Sequence, residues 1–293
     1  MKFTKMHGCG NDYIYVNCME ESICDRSLAA FRLSDRHFGI GADGLICIDA
    51  SDVADFKMDM YNADGSQGKM CGNGIRCVGK YVYDYGLTKK TTVTIETLAG
   101  IKILHFNVKN GTVDSVRVCM GSPILQPDLI PVQYDGEKVI EQPLEVCGEQ
   151  WNITCVSMGS PHAVTFVDDA MALDLNKLGM FFEHHEKFPD SINTEFIHVL
   201  DENNIFMRVW ERGSGETYAC GTGACASVVA AVLCGRTNSA VTVHMKGGRL
   251  LVEWDRSENL VYMTGPAKTV FEGDVDLTLK NDTVDVISEL FAG

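Results

Sequence analysis

The pattern of apolar and polar residues predicts many short strands and a few helices. Residues 56–60 alternate strictly between apolar and polar side chains, which is typical of a strand with one buried face. Apolar residues recur at helical spacing in residues 27–38 and 173–183, which predicts two amphipathic helices there.

Two further helices are predicted after Cys71 and Cys220. Residues 75–85 carry little polar surface, and residues 224–233 have no polar face beyond Ser227. A helix that is apolar on all sides is buried in the protein interior. The pattern therefore predicts an α+β fold, in which a curved mixed sheet or barrel wraps around a buried central helix.

The predicted elements occur twice along the chain. Residues 56–65 resemble residues 205–214, and residues 5–16 and 93–100 resemble residues 157–167 and 241–248. The two cysteines are 149 positions apart (220 − 71), as are Gly86 and Gly235 at the ends of the following helices (235 − 86). Corresponding segments in the same order predict two pseudo-symmetric domains.

Glycine and proline punctuate residues 121–131, which places a domain boundary there. We expect a first domain of residues 1–119 plus 266–293, with Cys71, because the tail has no counterpart and can complete the first sheet. The second domain is residues 120–265, with Cys220. The active site is expected in the cleft between them.

Composition narrows the class of protein. The 293 residues carry a net charge of -15, which argues against nucleic acid or an anionic membrane as a partner. The start of the chain has no apolar signal region, and no apolar run is long enough to span a bilayer, so a cytoplasmic protein is expected. The twelve cysteines show neither C-x-x-C pairs nor zinc-ligand spacing, and we expect no metal.

The two cysteines of the repeat carry the candidate chemistry. Cys71-Gly72-Asn73-Gly74 and Cys220-Gly221-Thr222-Gly223 each place a thiol at the start of a helix, where free N–H groups and the helix dipole favour thiolate. Two thiols facing each other across a pocket can take a proton from one face of a carbon and return it to the other. The glycine-rich N–H groups can hold a carboxylate.

Other polar residues lie near the two motifs. Asn62 and Glu211-Arg212 occupy the turn before each cysteine, and a guanidinium suits bidentate binding of a carboxylate. His162 can tune a thiol, while Asn11 and Asn193 lie beside strand ends.

Two motifs are interpreted as having no such role. Residues 39–44 match G-x-G-x-x-G but precede a strand, so no dinucleotide site is predicted. His184 and His185 are interpreted as residues of a solvated loop and not as metal ligands.

The sequence resembles the diaminopimelate epimerases, which interconvert LL- and meso-diaminopimelate in lysine biosynthesis without pyridoxal phosphate. The resemblance rests on the segments at residues 7–12, 62–66, 71–74, 158–162, 188–193, 211–213 and 219–223. It implies two similar domains, each a curved sheet about a central helix, with substrate between them. It also implies a homodimer that needs no cofactor.

The resemblance also implies roles for individual residues. Cys71 and Cys220 are the two bases, and His162 and Glu211 assist catalysis, His162 by influencing the thiols and Glu211 near the reacting end of the substrate. The remaining residues bind substrate: Gly72, Asn73, Gly221 and Thr222 at the reacting carboxylate, Asn11 near the reacting end, and Asn62, Asn193 and Arg212 at the distal amino-acid head.

Two positions depart from the family's commonest pattern. Some members carry glutamine where this chain has Gly44, and many carry asparagine where it has Ser160. Gly44 offers only backbone groups and Ser160 a single hydroxyl, so a substrate role for these two positions is left open.

Two alternative functions also remain at this point. One is a proline or hydroxyproline racemase of the same superfamily, although those enzymes typically show histidine at the position of Asn73 and Asp-Arg-Ser in place of Glu211-Arg212-Gly213. The other is a redox-responsive binding protein whose two thiols form a disulfide.

Overall fold

The structure is a computed structural model that describes residues 1–277. The first half of the chain contains β1 (Lys2–Gly8), β2 (Asn11–Asn17), α1 (Arg26–Ser34), β3 (Gly44–Asp49), β4 (Phe56–Asn62), β5 (Gln67–Gly68), α2 (Gly72–Asp84), β6 (Thr92–Glu96), β7 (Lys102–Lys109) and β8 (Thr112–Gly121). The second half contains β9 (Gln142–Val146), β10 (Glu149–Ser157), β11 (Pro161–Phe166), α3 (Leu175–Glu183), β12 (Asn193–Asp201), β13 (Asn204–Glu211), β14 (Gly215–Thr217), α4 (Gly221–Leu233), β15 (Ala240–Met245), β16 (Gly248–Asp255), β17 (Leu260–Pro266) and β18 (Lys268–Asp274).

Both halves pair their strands in the same order. In the first half, β1 is antiparallel to β2, β2 parallel to β3, β3 antiparallel to β4, and β4 parallel to β6. In the second half, β10, β11, β12, β13 and β15 repeat that order of antiparallel and parallel pairs. The α+β fold with two pseudo-symmetric mixed sheets is confirmed.

The two halves exchange strand contacts near their ends. β8 pairs with β17, where Val118 lies opposite Met263, and β18 pairs with β1. The boundary that we place at 119/120 falls within the last residues of β8, and the one at 265/266 falls at the end of β17. Residues 278–293 of the expected first domain lie outside the described residues.

The central helices are buried because their surfaces are apolar. Every residue of α4 from Gly223 to Ala231 is buried, and α2 buries Ile75, Val78 and Val82 against the strands around it. Gly86 and Gly235 follow the two helices in the left-handed region, with φ of +75° and +67°. They end the helices as the repeat predicts, because glycine adopts this conformation without steric cost.

The two outer helices differ slightly from their predicted bounds. α3 begins at Leu175, close to the expected start, whereas α1 ends at Ser34 and not at residue 38. The Asp35 carboxylate accepts hydrogen bonds from the backbone N–H groups of His37 and Phe38, which stops the helix.

One apolar core contains residues from both halves, including Ile46 and Ile75 from the first and Ile205 and Val228 from the second. Within residues 1–277, no helix combines the length and apolar character needed to cross a bilayer.

Candidate active site

Cys71 and Cys220 are the residues that immediately precede α2 and α4. Both have extended backbones, with φ of -126° and -123°. The Gly74 N–H lies 3.3 Å from the Cys71 Sγ, and the Gly223 N–H lies 3.4 Å from the Cys220 Sγ. Each thiol therefore lies at a helix N-terminus, as the repeated motif predicts.

The two cysteine turns are in contact with each other. A Cβ atom built on Gly72 would lie 3.7 Å from the Gly221 Cα, which is van der Waals contact, so the two turns pack directly against each other. The Asn73 Nδ2 also donates to the Ala219 carbonyl at 3.4 Å, directly before the second cysteine. The fold thus brings together two thiols and two helix N-termini that are 149 positions apart in sequence (220 − 71).

Asn11 connects Cys71 to a carboxylate. The Cys71 Sγ donates to the Asn11 Oδ1 at 3.2 Å, and the Asn11 Nδ2 donates to the Asp43 Oδ2 at 2.7 Å. Burial raises the pKa of Asp43 above its ordinary value. Sequence analysis missed Asp43, because it lies in a glycine-rich segment that was interpreted only as a turn before β3.

A chain of polar side chains leads away from Cys220. The Cys220 Sγ lies 3.5 Å from the Thr222 Oγ1, and the Ser160 Oγ lies 3.2 Å from Thr222 and 2.9 Å from the His162 Nε2. The His162 Nδ1 lies 2.7 Å from the Glu195 Oε1, and both of these side chains are 0% exposed.

Sequence analysis missed Glu195, although one signal could have found it. It is the single carboxylate in the buried residues 193–197 of β12, where a polar group needs a buried partner. Here the partner is His162. The Ser160 hydroxyl is part of this series of hydrogen bonds, because it contacts both His162 and Thr222.

The carboxylate of Glu211 affects the pKa of both thiols. It is half-buried and accepts a hydrogen bond from the Thr217 hydroxyl. Burial raises the pKa of Glu211 itself, and its negative charge raises the pKa of both Cys71 and Cys220.

Burial has the largest effect on both thiols. It raises the pKa of Cys71, although the N–H groups of Gly74 and Asn73 act to lower it. It raises the pKa of Cys220 well above the ordinary value, and the nearby carboxylates of Glu211 and Glu195 add to this. The N–H groups at the helix N-termini thus act in the expected direction, toward thiolate, but the desolvation of each thiol outweighs them.

Asn193 and Arg212 form one structural unit. The Asn193 Nδ2 donates to the Pro161 carbonyl at 2.8 Å, and its Oδ1 accepts from the Arg212 backbone N–H at 2.9 Å. The exposed Arg212 side chain donates to the Asp190 carbonyl at 2.8 Å. Glu183, which sequence analysis missed, accepts from the Gly213 N–H and steadies the same turn.

Asn62 and Gly44 lie on adjacent strands of the first half. The Asn62 side chain is half-buried and donates to the Ser66 hydroxyl at 3.0 Å. Gly44 pairs with Asn62 across β3 and β4, and a Cβ built on it would lie 2.1 Å from the Tyr61 carbonyl oxygen. The backbone here leaves no space for a side chain at position 44.

Two motifs are interpreted above as having no catalytic role. Residues 39–43 open no helix before β3, as expected, although Asp43 at their end accepts the hydrogen bond from Asn11. His184 is exposed after α3, and His185 is half-buried there with its Nε2 3.2 Å from the Glu145 carbonyl oxygen. A surface cavity of about 870 Å³ lies beside Tyr134 and Lys187 and contains none of the candidate residues.

Comparison with known proteins identifies the family. The diaminopimelate epimerase family model matches residues 3–126 and 154–270. The chain is 56% identical to the diaminopimelate epimerase of Acetivibrio thermocellus, over 94% of this chain and 99% of that protein. It is 55% identical to the one from Agathobacter rectalis, over 94% of this chain and all of that protein.

Solved structures share the fold at much lower identity. The hydroxyproline epimerase of Agrobacterium vitis has a TM-score of 0.67 and 15% identity, covering 94% of this chain and 90% of that chain. The PhzF-family phenazine biosynthesis protein of Bacillus anthracis has a TM-score of 0.66 and 17% identity, covering 94% and 99% of the two chains. The matching fold, the family model and the high identity to curated relatives show that this chain belongs to the diaminopimelate epimerase family.

Proposed function

We propose that the protein is an isomerase that interconverts LL- and meso-diaminopimelate in lysine biosynthesis, using Cys71 and Cys220 as the two bases. The observation that carries the proposal is the contact between the two cysteine turns at Gly72 and Gly221. Family membership and the names of the relatives, which are diaminopimelate epimerases, support this substrate.

In the proposed reaction one cysteine is a thiolate and the other is a thiol. The thiolate takes the proton from the α-carbon, so that a C–H bond breaks and an S–H bond forms. The electron pair stays on the α-carbon and spreads into its carboxylate. The opposite thiol then gives its proton to the other face of the carbon and becomes the thiolate. The two cysteines exchange roles when the reaction runs in reverse.

The helix N-termini would stabilise the carbanion. We assign the backbone N–H groups of Gly72, Asn73, Gly221 and Thr222 to the reacting carboxylate, where negative charge accumulates. Packing of the two helices in the apolar core supports a fixed position for these groups. Preorganised donors of this kind stabilise a developing charge without reorganisation.

The surrounding side chains would orient the substrate and tune the thiols. Asn11, bonded to Cys71, and Glu211 are assigned to the reacting end. Asn62, Asn193 and Arg212 are assigned to the distal amino-acid head, and the Asn193–Arg212 bond favours a fixed turn there. His162 is assigned to Cys220, which it reaches through Ser160 and Thr222.

The domain division and the setting of the protein are also proposals. We propose that residues 1–119 and 266–293 form one domain and residues 120–265 the other, which the pairing of β18 with β1 supports. A homodimer is proposed from the resemblance, and light scattering of the purified protein tests it. The cytoplasmic location stays a prediction from the sequence.

A substrate panel tests the proposed function. Reduced protein without added cofactor is assayed with LL-diaminopimelate, L-proline and trans-4-hydroxy-L-proline. We expect turnover of diaminopimelate alone, lost in Cys71→Ala and retained in Cys24→Ala, because Cys24 is an exposed thiol outside the site. Turnover of a proline substrate would favour the racemase alternative. No turnover of any substrate would favour a binding protein.

A further inference from the structure

Arg76 is a fully buried arginine without a nearby carboxylate. It lies one turn into α2 and its side chain is 0% exposed. Among residues 1–277, no carboxylate oxygen lies within 4.0 Å of its guanidinium nitrogens, whereas the buried Arg208 has Glu216 at 2.7 Å. A buried charge that is not balanced by an opposite charge is strongly unfavourable, so its retention needs an explanation.

The Arg76 guanidinium holds groups that belong to the first cysteine turn. Its Nη1 donates to the Gly72 carbonyl at 2.9 Å, and its Nη2 donates to the Asn73 Oδ1 at 2.9 Å. Its Nε donates to the Pro266 carbonyl at 3.2 Å, at the end of β17. The bond from Nη2 fixes the orientation of the Asn73 amide, with its Oδ1 facing Arg76.

The orientation of Asn73 matters because the same side chain reaches the second cysteine turn. With its Oδ1 bound to Arg76, its Nδ2 points to the Ala219 carbonyl at 3.4 Å. Arg76 thus supports the connection between the turn that contains Cys71 and the residue before Cys220.

The surrounding backbone leaves space for this arginine. A Cβ built on Gly8 would lie 2.9 Å from the Arg76 Nη2, and one on Gly265 would lie 3.0 Å from its Nε. Neither glycine has a φ that requires glycine. The guanidinium therefore helps to exclude a side chain at both positions, together with the Asn73 carbonyl oxygen 3.0 Å from the Cβ built on Gly8 and the Leu250 Cδ2 2.3 Å from the Cβ built on Gly265.

The position of the charge indicates what balances it. Arg76 lies behind Gly72, where the N-termini of α2 and α4 meet, and both helix ends carry partial positive charge. These positive groups would attract the carboxylate of a substrate.

We propose that Arg76 is a positioning residue of the epimerisation, which fixes Asn73 between the two cysteine turns and supplies positive charge behind the site of the reacting carboxylate. The proposal rests on the proposed function. In this proposal the buried charge of Arg76 helps to stabilise the carbanion, because the backbone donors alone do not neutralise the carbanion's negative charge.

The test compares the neutral variants Arg76→Met and Arg76→Gln with the charged variant Arg76→Lys. We expect the neutral variants to keep or exceed the wild-type urea midpoint while kcat for LL-diaminopimelate falls about a hundredfold, as for loss of a preorganised donor. KM should change much less. Arg76→Lys should retain more kcat than either neutral variant, because it keeps the charge.

Arg208→Met is the matched control, since it removes a buried arginine that has a carboxylate partner. It should lower the urea midpoint and leave kcat per folded molecule unchanged. In a second comparison, Asn73→Ala combined with Arg76→Met should lose less kcat than the product of the two single losses, because the residues act together.

Three outcomes would overturn the proposal. The first is wild-type kcat in the neutral variants, and the second is a kcat loss no larger than the loss of folded protein. The third is failure of both neutral variants to fold, which would show a structural role. If the wild-type protein does not epimerise diaminopimelate, the proposed function fails and this inference falls with it. If wild type and the neutral variants react equally fast, only this inference fails.

Discussion

The thiols of Cys71 and Cys220 lie in unequal electrostatic surroundings. Cys220 is affected by the carboxylates of Glu211 and Glu195, and its pKa is raised well above the ordinary value. Cys71 is affected by Glu211 but also by the opposing positive charge of Arg76. We therefore expect Cys71 to carry more of the thiolate at rest.

Glu211→Gln should shift the ionisation of both thiols to lower pH. Removing the negative charge makes each thiolate easier to form, so each thiol pKa falls toward its ordinary value. Site-resolved mass spectrometry of iodoacetamide alkylation against pH measures this, with the exposed thiols of Cys24 and Cys147 as internal references. Wild-type Cys71 should react before Cys220. Unchanged profiles in the variant would contradict the assigned influence of Glu211.

The buried pair of His162 and Glu195 should matter for stability. Glu195→Ala leaves the His162 Nδ1 without its hydrogen-bond partner, and an unsatisfied buried polar group costs about 1–3 kcal/mol of unfolding free energy. Urea unfolding measures the loss. Glu145→Ala, an exposed control in the same half, should stay within about 0.5 kcal/mol of wild type. Equal effects of the two substitutions would show that the pair contributes nothing.

At the level of elements, α2 and α4 could be predicted well and the pairing of strands less so. α4 is apolar on nearly all sides, whereas α2 buries an apolar face and also carries Lys80 and Asp84. Each helix begins after a cysteine and ends before a glycine, and these features are local in sequence. Burial of the thiols depends on strands far away in the chain. The sequence motif therefore indicated the helix N-terminus but not the stronger effect of desolvation on the thiol pKa.

Position 44 tests how tightly β3 and β4 are paired. Gly44→Gln introduces the residue that some family members carry, but its Cβ would meet the Tyr61 carbonyl oxygen at 2.1 Å. Overpacking of this kind should lower the unfolding free energy by about 1–3 kcal/mol. Ala63→Gln, at an exposed position in the following turn, is the control. A Gly44→Gln protein as stable as the control would show that the strands adjust.

At the scale of the whole molecule, the internal repeat gave a correct α+β architecture. Its two halves were predictable because corresponding strands, turns and helices recur in order. The contact of β8 with β17 was not predictable, since alternation within a strand does not identify its neighbour. Glu195 and Asp43 were missed for a related reason: their importance comes from His162 and Asn11, which are brought to them only by folding.

The shared core should make the two halves unfold together. Apolar residues of both halves belong to one cluster, and β8 and β17 join their sheets. Thermal or urea unfolding followed by far-UV and near-UV circular dichroism should give coincident single transitions. Two separated transitions would show that the halves are stabilised independently.

The central claim is that two thiols exchange the α-proton of diaminopimelate on opposite faces. Solvent exchange measures this most directly, using reduced wild-type protein, LL-diaminopimelate and deuterated water without added cofactor. Meso-diaminopimelate formed early in the reaction should carry solvent deuterium at the inverted carbon. Product that retains the original hydrogen there, or equal product formation by Cys71→Ala, would contradict it.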